Sequence, residues 1–257
     1  MVNLSLNGQR TLVIGGARGI GAAIVRMAAS AGSDVAWTHL DTEPDRNATE
    51  ALAGELSATG TRVFHGAVDC TDADASKQFF QGLESSWGGL EHLVYSAGYT
   101  SPTPFEDIDF SSWRRVVDIN LNGAFLALKL AMPMLKKATN ASVVLIGSAA
   151  IVAGGGGRAD YASAKAGLEG LNRAVTKAFA PFGIRCNLVH PSLIETDLLK
   201  QRHPDAEKRK QLASEVPLRR LGQPEDIASI VIFLLSDLAS YITAQSIYID
   251  GGRTFCK

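Results

Sequence analysis

The sequence is short of cysteine, of net charge and of long apolar runs. It holds three cysteines among 257 residues, which excludes a disulfide-stapled scaffold and predicts a reduced, cytoplasmic protein. Lysine and arginine number 25 against 26 acidic residues, a net charge of −1, so no general attraction to nucleic acid or to an anionic membrane is expected. No apolar run approaches the roughly 20 residues that span a bilayer. The N-terminal residues lack the layout of a signal peptide.

Short β-branched runs alternate with longer helical patterns along the chain, which is typical of parallel strands joined by crossover helices. Because 46% of the residues are hydrophobic, strands can be buried on both faces of a sheet. The pattern predicts strands near 10–15, 34–38, 62–66, 91–95, 142–147, 184–189 and 246–249. It predicts helices near 19–31, 45–59, 73–87, 111–137, 160–181, 205–214 and 224–235. No linker interrupts these units, so we expect a single α/β domain over residues 1–257.

A glycine-rich turn lies between the first predicted strand and the first predicted helix, with the sequence Gly15-Gly16-Ala17-Arg18-Gly19-Ile20-Gly21. Glycines allow a tight turn and let backbone N–H groups approach a pyrophosphate at the helix N-terminus. The spacing is G-x-x-x-G-x-G rather than the G-x-G-x-x-G of many dinucleotide enzymes. The turn predicts a dinucleotide site, and a tight turn without a ligand is the ordinary alternative.

Tyr161 and Lys165 stand four residues apart in an Ala-rich segment, and Ser148 precedes them. On a helix this spacing puts the phenol and the ammonium on one face, one turn apart. A nearby cation favours the phenolate, so we expect the pKa of Tyr161 to fall from its ordinary value of about 10. A tyrosine tuned in this way can give a proton to a carbonyl oxygen or take one from an alcohol.

Together these residues resemble the short-chain dehydrogenase/reductase family in its single-domain form, and are similar to its 3-oxoacyl-carrier-protein reductase-like members. Further landmarks follow in order: Asp69, the run 95–98, Asn120, and the runs 191–196, 220–226 and 250–252. The resemblance covers nearly the whole chain. It implies a doubly wound, Rossmann-type sheet of seven parallel strands in the order 3-2-1-4-5-6-7, with helices on both faces.

The resemblance implies a role for four catalytic residues. Tyr161 is the general acid/base, and Lys165 tunes it and hydrogen-bonds the nicotinamide ribose. Ser148 holds the substrate oxygen, and Asn120 positions a water that leads protons toward the lysine. The ordinary alternatives are a structural tyrosine, a surface lysine, a serine cap after a strand and a polar helix kink. The expected cofactor-binding residues are Gly15, Ala17, Arg18, Gly19, Ile20, His39, Asp69, Ser96, Ala97, Gly98, Tyr161, Lys165, Pro191, Ile194 and Thr196.

The choice between the two nicotinamide cofactors depends on the end of the second strand. NAD-preferring relatives usually place an acid there to accept from the adenosine ribose hydroxyls, whereas this chain has His39. Arg18 is placed to pair with a 2′-phosphate. We therefore expect NADP(H) to be favoured. NAD(H) stays open, because Asp41 lies two residues on and Leu40 stands where many NADP enzymes carry a basic residue. No metal is expected, because the five histidines show no i, i+4 pairing.

Several segments depart from the regular pattern or from the family. Residues 154–157 are four glycines, which we expect to form a mobile wall of the substrate cleft. The charged segment 193–221 resembles the family's substrate-covering lid. Ile14 stands where the family usually has a threonine, and Tyr95-Ser96 stand where it usually has two asparagines. We expect an apolar contact of Ile14 with Tyr95 to replace a buried hydrogen bond. Ser192 and Ala244 each replace a glycine.

The sequence thus predicts an NAD(P)-dependent oxidoreductase that interconverts a small-molecule ketone and a secondary alcohol. The alternative is a catalytically silent dinucleotide-sensing or scaffold protein of the same fold, which would be expected to lose Tyr161, Lys165 or Ser148. We expect a homotetramer or homodimer built through the helices near 111–137 and 160–181. The cleft is expected to be shaped by Tyr99, Thr100, Ser101, Ile151, Arg158 and the lid. For Arg158 we favour an exposed loop arginine, with contact to a substrate carboxylate as the alternative.

Overall fold

The computed structural model describes residues 4–100, 103–152 and 158–256. It contains a seven-stranded parallel sheet in the order β3-β2-β1-β4-β5-β6-β7, which confirms the predicted topology. The strands are β1 (Arg10–Ile14), β2 (Asp34–His39), β3 (Val63–Ala67), β4 (His92–Tyr95), β5 (Ser142–Ile146), β6 (Arg185–Pro191) and β7 (Ser246–Ile249). Each strand lies within a few residues of its predicted position.

The helices cover both faces of this sheet. They are α1 (Gly19–Ser30), α2 (Glu43–Ser57), α3 (Ala73–Trp87), α4 (Phe110–Val117), α5 (Gly123–Leu135), α6 (Ala159–Phe179), α7 (Asp197–Arg202), α8 (Ala206–Ser214) and α9 (Pro224–Leu235). One apolar core packs residues of α3, α5 and α6 against the sheet. The other packs residues of α1, α2 and α9 against the opposite face. This arrangement explains why the strands read as continuous apolar runs rather than as an alternation.

The helix predicted over 111–137 is one helical run, Phe110–Leu135, whose winding changes in the middle. A π-helical turn, Asp118–Asn122, separates α4 from α5. Within it the side-chain amide of Asn120 donates to the carbonyl oxygen of Val116 at 2.9 Å. A side chain that donates to the carbonyl oxygen four residues earlier competes with the backbone N–H that would bind this oxygen in a regular α-helix. Single π-helical turns of this kind are frequent at functional sites. The kink brings Asn120 toward the carboxyl end of β4, where the cleft lies.

The helical run Phe110–Leu135 also meets the length and hydropathy of a membrane span. Its residues Ala124, Leu128 and Leu135 lie buried against the sheet, whereas Phe110 and Phe125 are exposed. Core helices of folded domains pass the same test of composition. The position of this run within the fold assigns it to the interior.

The segment between β6 and α9 contains α8, as predicted, and also α7, which the sequence pattern did not indicate. Both ends of the segment are held together by a parallel bridge between Ile194 and Gly222. A Cβ on Gly222 would lie 2.5 Å from the Ile194 side chain, so glycine is needed for that approach. A small cluster of Leu199, Leu212 and Leu221 packs beneath α7 and α8.

Ile14 and Tyr95 are register partners on the adjacent strands β1 and β4, and both are buried in the same core. The Tyr95 hydroxyl donates to the carbonyl oxygen of Ile119 and lies 3.4 Å from the Cys70 sulfur. The phenol is therefore satisfied by the π-helical turn rather than by the neighbouring strand, and Ile14 can be apolar without leaving a buried donor unpaired.

Candidate active site

A cleft of about 1250 Å³ lies at the carboxyl ends of the strands. In open parallel sheets ligands bind at this edge, where the strand order reverses, and here that point lies between β1 and β4. All the residues predicted to bind the cofactor line this cleft, as do Ser148, Tyr161 and Lys165. Asn120 is fully buried and lies behind the lining. The structure thus brings together residues that lie far apart in the sequence.

The glycine turn between β1 and α1 forms a tightly packed cradle. Gly15 has a φ of +79°, and a Cβ there would approach the backbone of Ala97 to 2.9 Å. A Cβ on Gly21 would lie 2.0 Å from the carbonyl oxygen of Gly15. Larger residues cannot occupy these positions, so the N-terminus of α1 stays open to a ligand. A dinucleotide pyrophosphate fits such a cradle, because backbone N–H groups and the helix dipole both favour an anion.

Tyr161 and Lys165 lie on one face of α6, as their spacing predicted. The Lys165 ammonium is buried and donates to the carbonyl oxygen of Ile146, at the end of β5, at 2.7 Å. It lies 5.9 Å from the centre of the Tyr161 ring. Burial lowers the pKa of Lys165 to about 8, because a charged amine loses hydration in the interior.

The expectation that the pKa of Tyr161 falls was wrong for this structure. Burial raises the pKa of Tyr161 above its ordinary value, and this outweighs three opposing influences: the nearby Ser148 side chain and the charges of Arg202 and Arg158. Lys165, whose ammonium donates to the Ile146 carbonyl oxygen, is not among those influences. At neutral pH the phenol therefore carries its proton.

Ser148 follows β5 and begins a short 3-10 turn over Ala149–Ile151. Its hydroxyl accepts from the backbone N–H of Ala150 at 3.2 Å, so the serine caps this turn as the ordinary alternative predicted. The same side chain lies close enough to the Tyr161 phenol to lower its pKa, against the effect of burial. Capping thus leaves the hydroxyl a donor that can act on Tyr161, because a hydroxyl can both donate and accept.

Asn120 is held by two donated hydrogen bonds from its side-chain amide, to the carbonyl oxygens of Tyr99 at 2.7 Å and of Val116 at 2.9 Å. Its side-chain oxygen is buried without a hydrogen-bond partner. A Cβ on Gly98 would lie 3.3 Å from that oxygen and 3.7 Å from the Lys165 nitrogen, so both polar groups border the space beside Gly98. An unpaired buried acceptor at this place fits a bridging water between Asn120 and Lys165.

A buried imidazole supports the backbone of Ser148. The backbone N–H of Ser148 donates to His190 Nδ1 at 3.0 Å, and His190 Nε2 lies 2.9 Å from a Glu169 carboxylate oxygen. The ring stacks on Tyr248, with centroids 4.6 Å apart, and a Cβ on Gly147 would meet it at 2.5 Å. Glu169 lies on α6, one turn beyond Lys165. This contact therefore ties the helix that carries Tyr161 to the turn that carries Ser148.

The pair formed by Arg18 and Asp45 lies at the end of the cleft toward β2. Arg18 Nε lies 2.5 Å from an Asp45 carboxylate oxygen, and Arg18 also reaches Asp197 at 3.7 Å. Asp45 is buried, close to the N-terminus of α2. His39 is buried too, and its Nδ1 lies 2.9 Å from the carbonyl oxygen of Leu40. The position after β2 lacks an acid, but a carboxylate from α2 approaches the same end of the cleft.

Toward α4 and α7 the cleft is lined by Tyr99 and Thr100, as predicted, whereas Ile151 is not part of its lining. Ser101 and the glycine run 154–157 lie outside the described residues. The interpretation of Arg158 as an exposed loop arginine was wrong: the residue is 5% exposed, and its guanidinium donates to the Thr100 hydroxyl. Among the described residues no group of three or more histidine, cysteine or acidic side chains is arranged to hold a metal ion.

Comparison with known proteins agrees with this geometry. Residues 15–254 match a family model described as "Enoyl-(Acyl carrier protein) reductase". The chain is 34% identical over 242 residues to the L-rhamnose 1-dehydrogenase (NAD(P)(+)) of Azotobacter vinelandii, with 94% of each chain covered. The chain belongs to the short-chain dehydrogenase/reductase family. It is an NAD(P)-dependent enzyme that acts on CH–OH or keto groups.

Two further matches place this short-chain dehydrogenase/reductase. It is 32% identical to 3-oxoacyl-(acyl-carrier-protein) reductase FabG of Escherichia coli (strain K12), over 97% of this chain and 98% of that one. A dehydrogenase/reductase structure from Sinorhizobium meliloti 1021 superposes with a TM-score of 0.90 at 30% identity, covering 98% of this chain and 97% of that one. These relatives cover nearly the whole chain, so the similarity includes every element that lines the cleft.

Sequence reasoning missed four residues of this short-chain dehydrogenase/reductase site: Asp45, Glu169, His190 and Arg202. Asp45 is separated from its partner Arg18 by 27 positions, and Glu169 from His190 by 21, so no local spacing indicates either pair. A weak signal existed for Asp45, since Thr42 with Pro44 predicts a helix start there. Arg202 closes a short helix whose sequence carries no regular apolar pattern.

Proposed function

We propose that this enzyme interconverts a ketone and a secondary alcohol with Tyr161 as general acid/base, Ser148 as the group that holds the substrate oxygen, and Lys165 and Asn120 as the path that returns the proton. The observation that carries the proposal is that Ser148, Tyr161 and Lys165 line one cleft together with the glycine turn. The nicotinamide cofactor, when bound, supplies or accepts the hydride. The protein would then orient the reacting carbon and move one proton at the substrate oxygen.

The protonated phenol is the form that reduction requires. During reduction the Tyr161 hydroxyl would donate its proton to the carbonyl oxygen, while the Ser148 hydroxyl stabilises the negative charge that develops there. Lys165 would donate to the cofactor ribose and pass a proton toward Tyr161. Its pKa of about 8 lets it exchange protons near neutral pH. Oxidation of an alcohol would run through the same groups in reverse.

Tyr161→Phe tests this proposal, since it removes the hydroxyl and leaves the ring. We expect the rate of NAD(P)H oxidation with a panel of ketones to fall by at least about 100-fold, the scale of general acid catalysis. Cofactor affinity, measured by NAD(P)H fluorescence, should change little. Phe179→Tyr is a distant aromatic control on the same helix. Full turnover by the folded, cofactor-binding Tyr161→Phe protein would refute the proposal. Cofactor binding without turnover by the wild type would favour the silent sensor.

We further propose that the enzyme binds NADP(H) more tightly than NAD(H). The difference in affinity should be smaller than an unpaired Arg18 would produce. The absence of an acid after β2 and the presence of Arg18 support a 2′-phosphate. Asp45 opposes it, because its carboxylate lies against the same guanidinium at 2.5 Å and would face the incoming phosphate. A relative whose name carries NAD(P)(+) is consistent with a modest preference.

The affinities for NADPH and NADH, measured by fluorescence titration, test this point. Asp45→Asn should leave Arg18 free for the phosphate and raise the preference for NADPH about tenfold or more, since a charge-assisted hydrogen bond contributes about 1.5–3 kcal/mol. Glu55→Gln is the matched control, because it removes an equal charge from an exposed side chain of the same helix that pairs with Arg26. An unchanged ratio in Asp45→Asn, or a strong NADH preference in the wild type, would contradict the proposal.

The remaining elements of the proposal concern the surroundings of the site. The segment 193–221 would act as a substrate lid, which its position over the cleft and its separate small core support. The chain would form one cytoplasmic domain and assemble as a homotetramer or homodimer. Phe125, 56% exposed on α5, is an apolar side chain on one of the helices expected to form the interface. Light scattering on Phe125→Glu, which should dissociate such an assembly, tests it.

A further inference from the structure

Arg158 is a buried cation that forms no ion pair among the described residues, although the charge of the neighbouring Asp160 acts on it. It precedes α6, three residues before Tyr161, and is 5% exposed. Its guanidinium donates to the hydroxyl of Thr100, and it is Thr100 rather than Arg158 that lines the cleft. The neighbouring Asp160 directs its carboxylate to the backbone N–H of Tyr161 at 2.7 Å.

An arginine in this position is energetically costly. Arginine is almost never fully buried unless it is paired, and an uncompensated buried charge costs several kcal/mol. Burial is the largest influence that lowers the pKa of Arg158 from its ordinary value, and the charge of Arg202 is the second. A neutral residue would avoid both the loss of hydration and the repulsion by Arg202. We therefore expect the guanidinium to bind an anionic ligand.

Arg202 is the second cation near this part of the cleft. It ends α7, lines the cleft and takes part in no ion pair or hydrogen bond among the described residues. Its positive charge acts on both Tyr161 and Arg158. The acids nearby are engaged elsewhere: Asp197, on the same helix, faces Arg18, and Asp118 accepts from Asn122 at 2.7 Å. Two cations therefore act on the proposed acid/base, and neither takes part in an ion pair among the described residues.

We propose that the substrate carries an oxyanion, a carboxylate or a phosphate, close to its reacting carbonyl, and that Arg158 and Arg202 bind it. This inference rests on the proposed ketone–alcohol reaction at Tyr161. The guanidinium fork matches the two oxygens of a carboxylate or phosphate and forms paired hydrogen bonds. An anion between the two arginines would supply the counter-charge that Arg158 lacks and would draw α7 over the substrate. The substrate class is thus oxo acids or oxo phosphate esters rather than neutral ketones and sugars.

Matched substrate pairs test this inference. The wild-type enzyme with its preferred cofactor is given oxo acids and their methyl esters, and hydroxyketone phosphates and their free alcohols. We expect kcat/KM to be at least about tenfold higher for the anionic member of the preferred pair, and to fall with added salt, because exposed Arg202 is screened. The series in which the anionic member has the higher kcat/KM shows whether the enzyme binds a carboxylate or a phosphate. Neutral members used as well as or better than anionic ones would overturn the inference.

Variants then assign the effect to the arginines. Arg202→Gln should lower kcat/KM about 10–100-fold for the anionic substrate, the equivalent of one charge-assisted hydrogen bond, and should lower kcat/KM for the neutral partner much less. Lys200→Gln is the control, since it removes the same charge from the same helix at a residue outside the cleft lining. Arg158→Lys keeps the charge without the fork and should raise KM for the anion. Equal losses on both substrates, or none, would overturn the assignment.

The result also separates this inference from the proposed reaction. Turnover of neutral ketones without a gain for anionic ones leaves the reaction in place and removes the charge assignment. No turnover of any ketone, with cofactor still bound, removes the proposed reaction itself. Should Arg158→Lys fail to fold by circular dichroism, the exposed Arg202 variant still carries the test.

Discussion

The contact between Glu169 and His190 predicts that a residue remote from the reacting atoms controls catalysis. Tyr161, Lys165 and Glu169 lie at i, i+4 and i+8 on α6, so they share one face of the helix. Glu169 holds His190 at 2.9 Å, and His190 accepts from the backbone N–H of Ser148 at 3.0 Å. Because Nε2 faces the carboxylate, we assign the proton of the neutral ring to Nε2, so Nδ1 accepts from the Ser148 N–H. The Ser148 carbonyl oxygen also lies 3.1 Å from Nδ1. The pair thereby fixes the distance between Ser148 and the helix of Tyr161.

Glu169→Ala leaves the buried Nε2–H of His190 without its partner, while Glu169→Gln keeps an acceptor in place. An unpaired buried donor costs about 1–3 kcal/mol, so we expect the alanine variant to lose that much unfolding free energy. A small displacement of a catalytic group can cost about 100-fold in rate. We expect kcat to fall about 10–100-fold in Glu169→Ala with little change in KM, and to be largely restored in Glu169→Gln.

The pH profile supplies a readout that a merely structural role would not change. Burial lowers the pKa of His190, and the Glu169 carboxylate opposes this shift, whereas Lys165 adds to it. Removing the carboxylate in Glu169→Gln should therefore lower the pKa of His190 further. Protonation of Nδ1 would break its bond with the Ser148 N–H, so the acid limb of kcat should move to lower pH in Glu169→Gln. Steady-state kinetics from pH 5 to 9 and urea denaturation measure both effects. Wild-type kcat in Glu169→Ala would refute the reasoning.

Three further predictions concern stability. Burial lowers the pKa of His92 to about 3 in the folded protein, whereas the imidazole has a pKa of 6.5 in the unfolded chain. The unfolded chain therefore binds more protons below pH 6.5, and the free energy of unfolding should fall by about 2 kcal/mol between pH 6.5 and 5. Urea denaturation of His92→Gln should show a smaller fall. Ala244 has a φ of +59°, so Ala244→Gly should stabilise the protein by about 0.5–1 kcal/mol; a loss in melting temperature would contradict this. Ile14→Thr should not raise the melting temperature, because the Tyr95 hydroxyl already has a partner in Ile119.

Most of the fold could be predicted from the sequence because the strands are buried on both faces. Runs such as 143–146 have few alternatives to a central parallel strand, and the glycine turn fixes where the first helix begins. The change of winding near Asn120 could not be predicted in the same way. It depends on a side-chain amide that reaches the Val116 carbonyl and the Tyr99 carbonyl at once. The second of these contacts crosses between elements that are distant in sequence.

The candidate site could be predicted where its chemistry lies in a local motif, as for Tyr161 and Lys165. The pKa of Tyr161 could not, because spacing on a helix gives the proximity of two side chains but not the direction of the ammonium. Lys165 donates to the Ile146 carbonyl, and burial then dominates the phenol. The burial of Arg158 was equally hidden, since an arginine in a glycine-rich segment is exposed in most proteins.

The two ends of the cleft use arginine in opposite ways, and this sets different expectations for cofactor and substrate. Arg18 is already paired with Asp45, so a phosphate that binds there must share the guanidinium with a carboxylate. The gain from the phosphate is therefore reduced, and discrimination between the two cofactors should be modest. Arg158 and Arg202 have no such partner among the described residues, so an anion between them meets no competitor and relieves their mutual repulsion. Discrimination by charge should therefore be steeper for the substrate than for the cofactor. Removing the Asp45 carboxylate should increase the discrimination between NADPH and NADH and should leave the discrimination between anionic and neutral substrates unchanged.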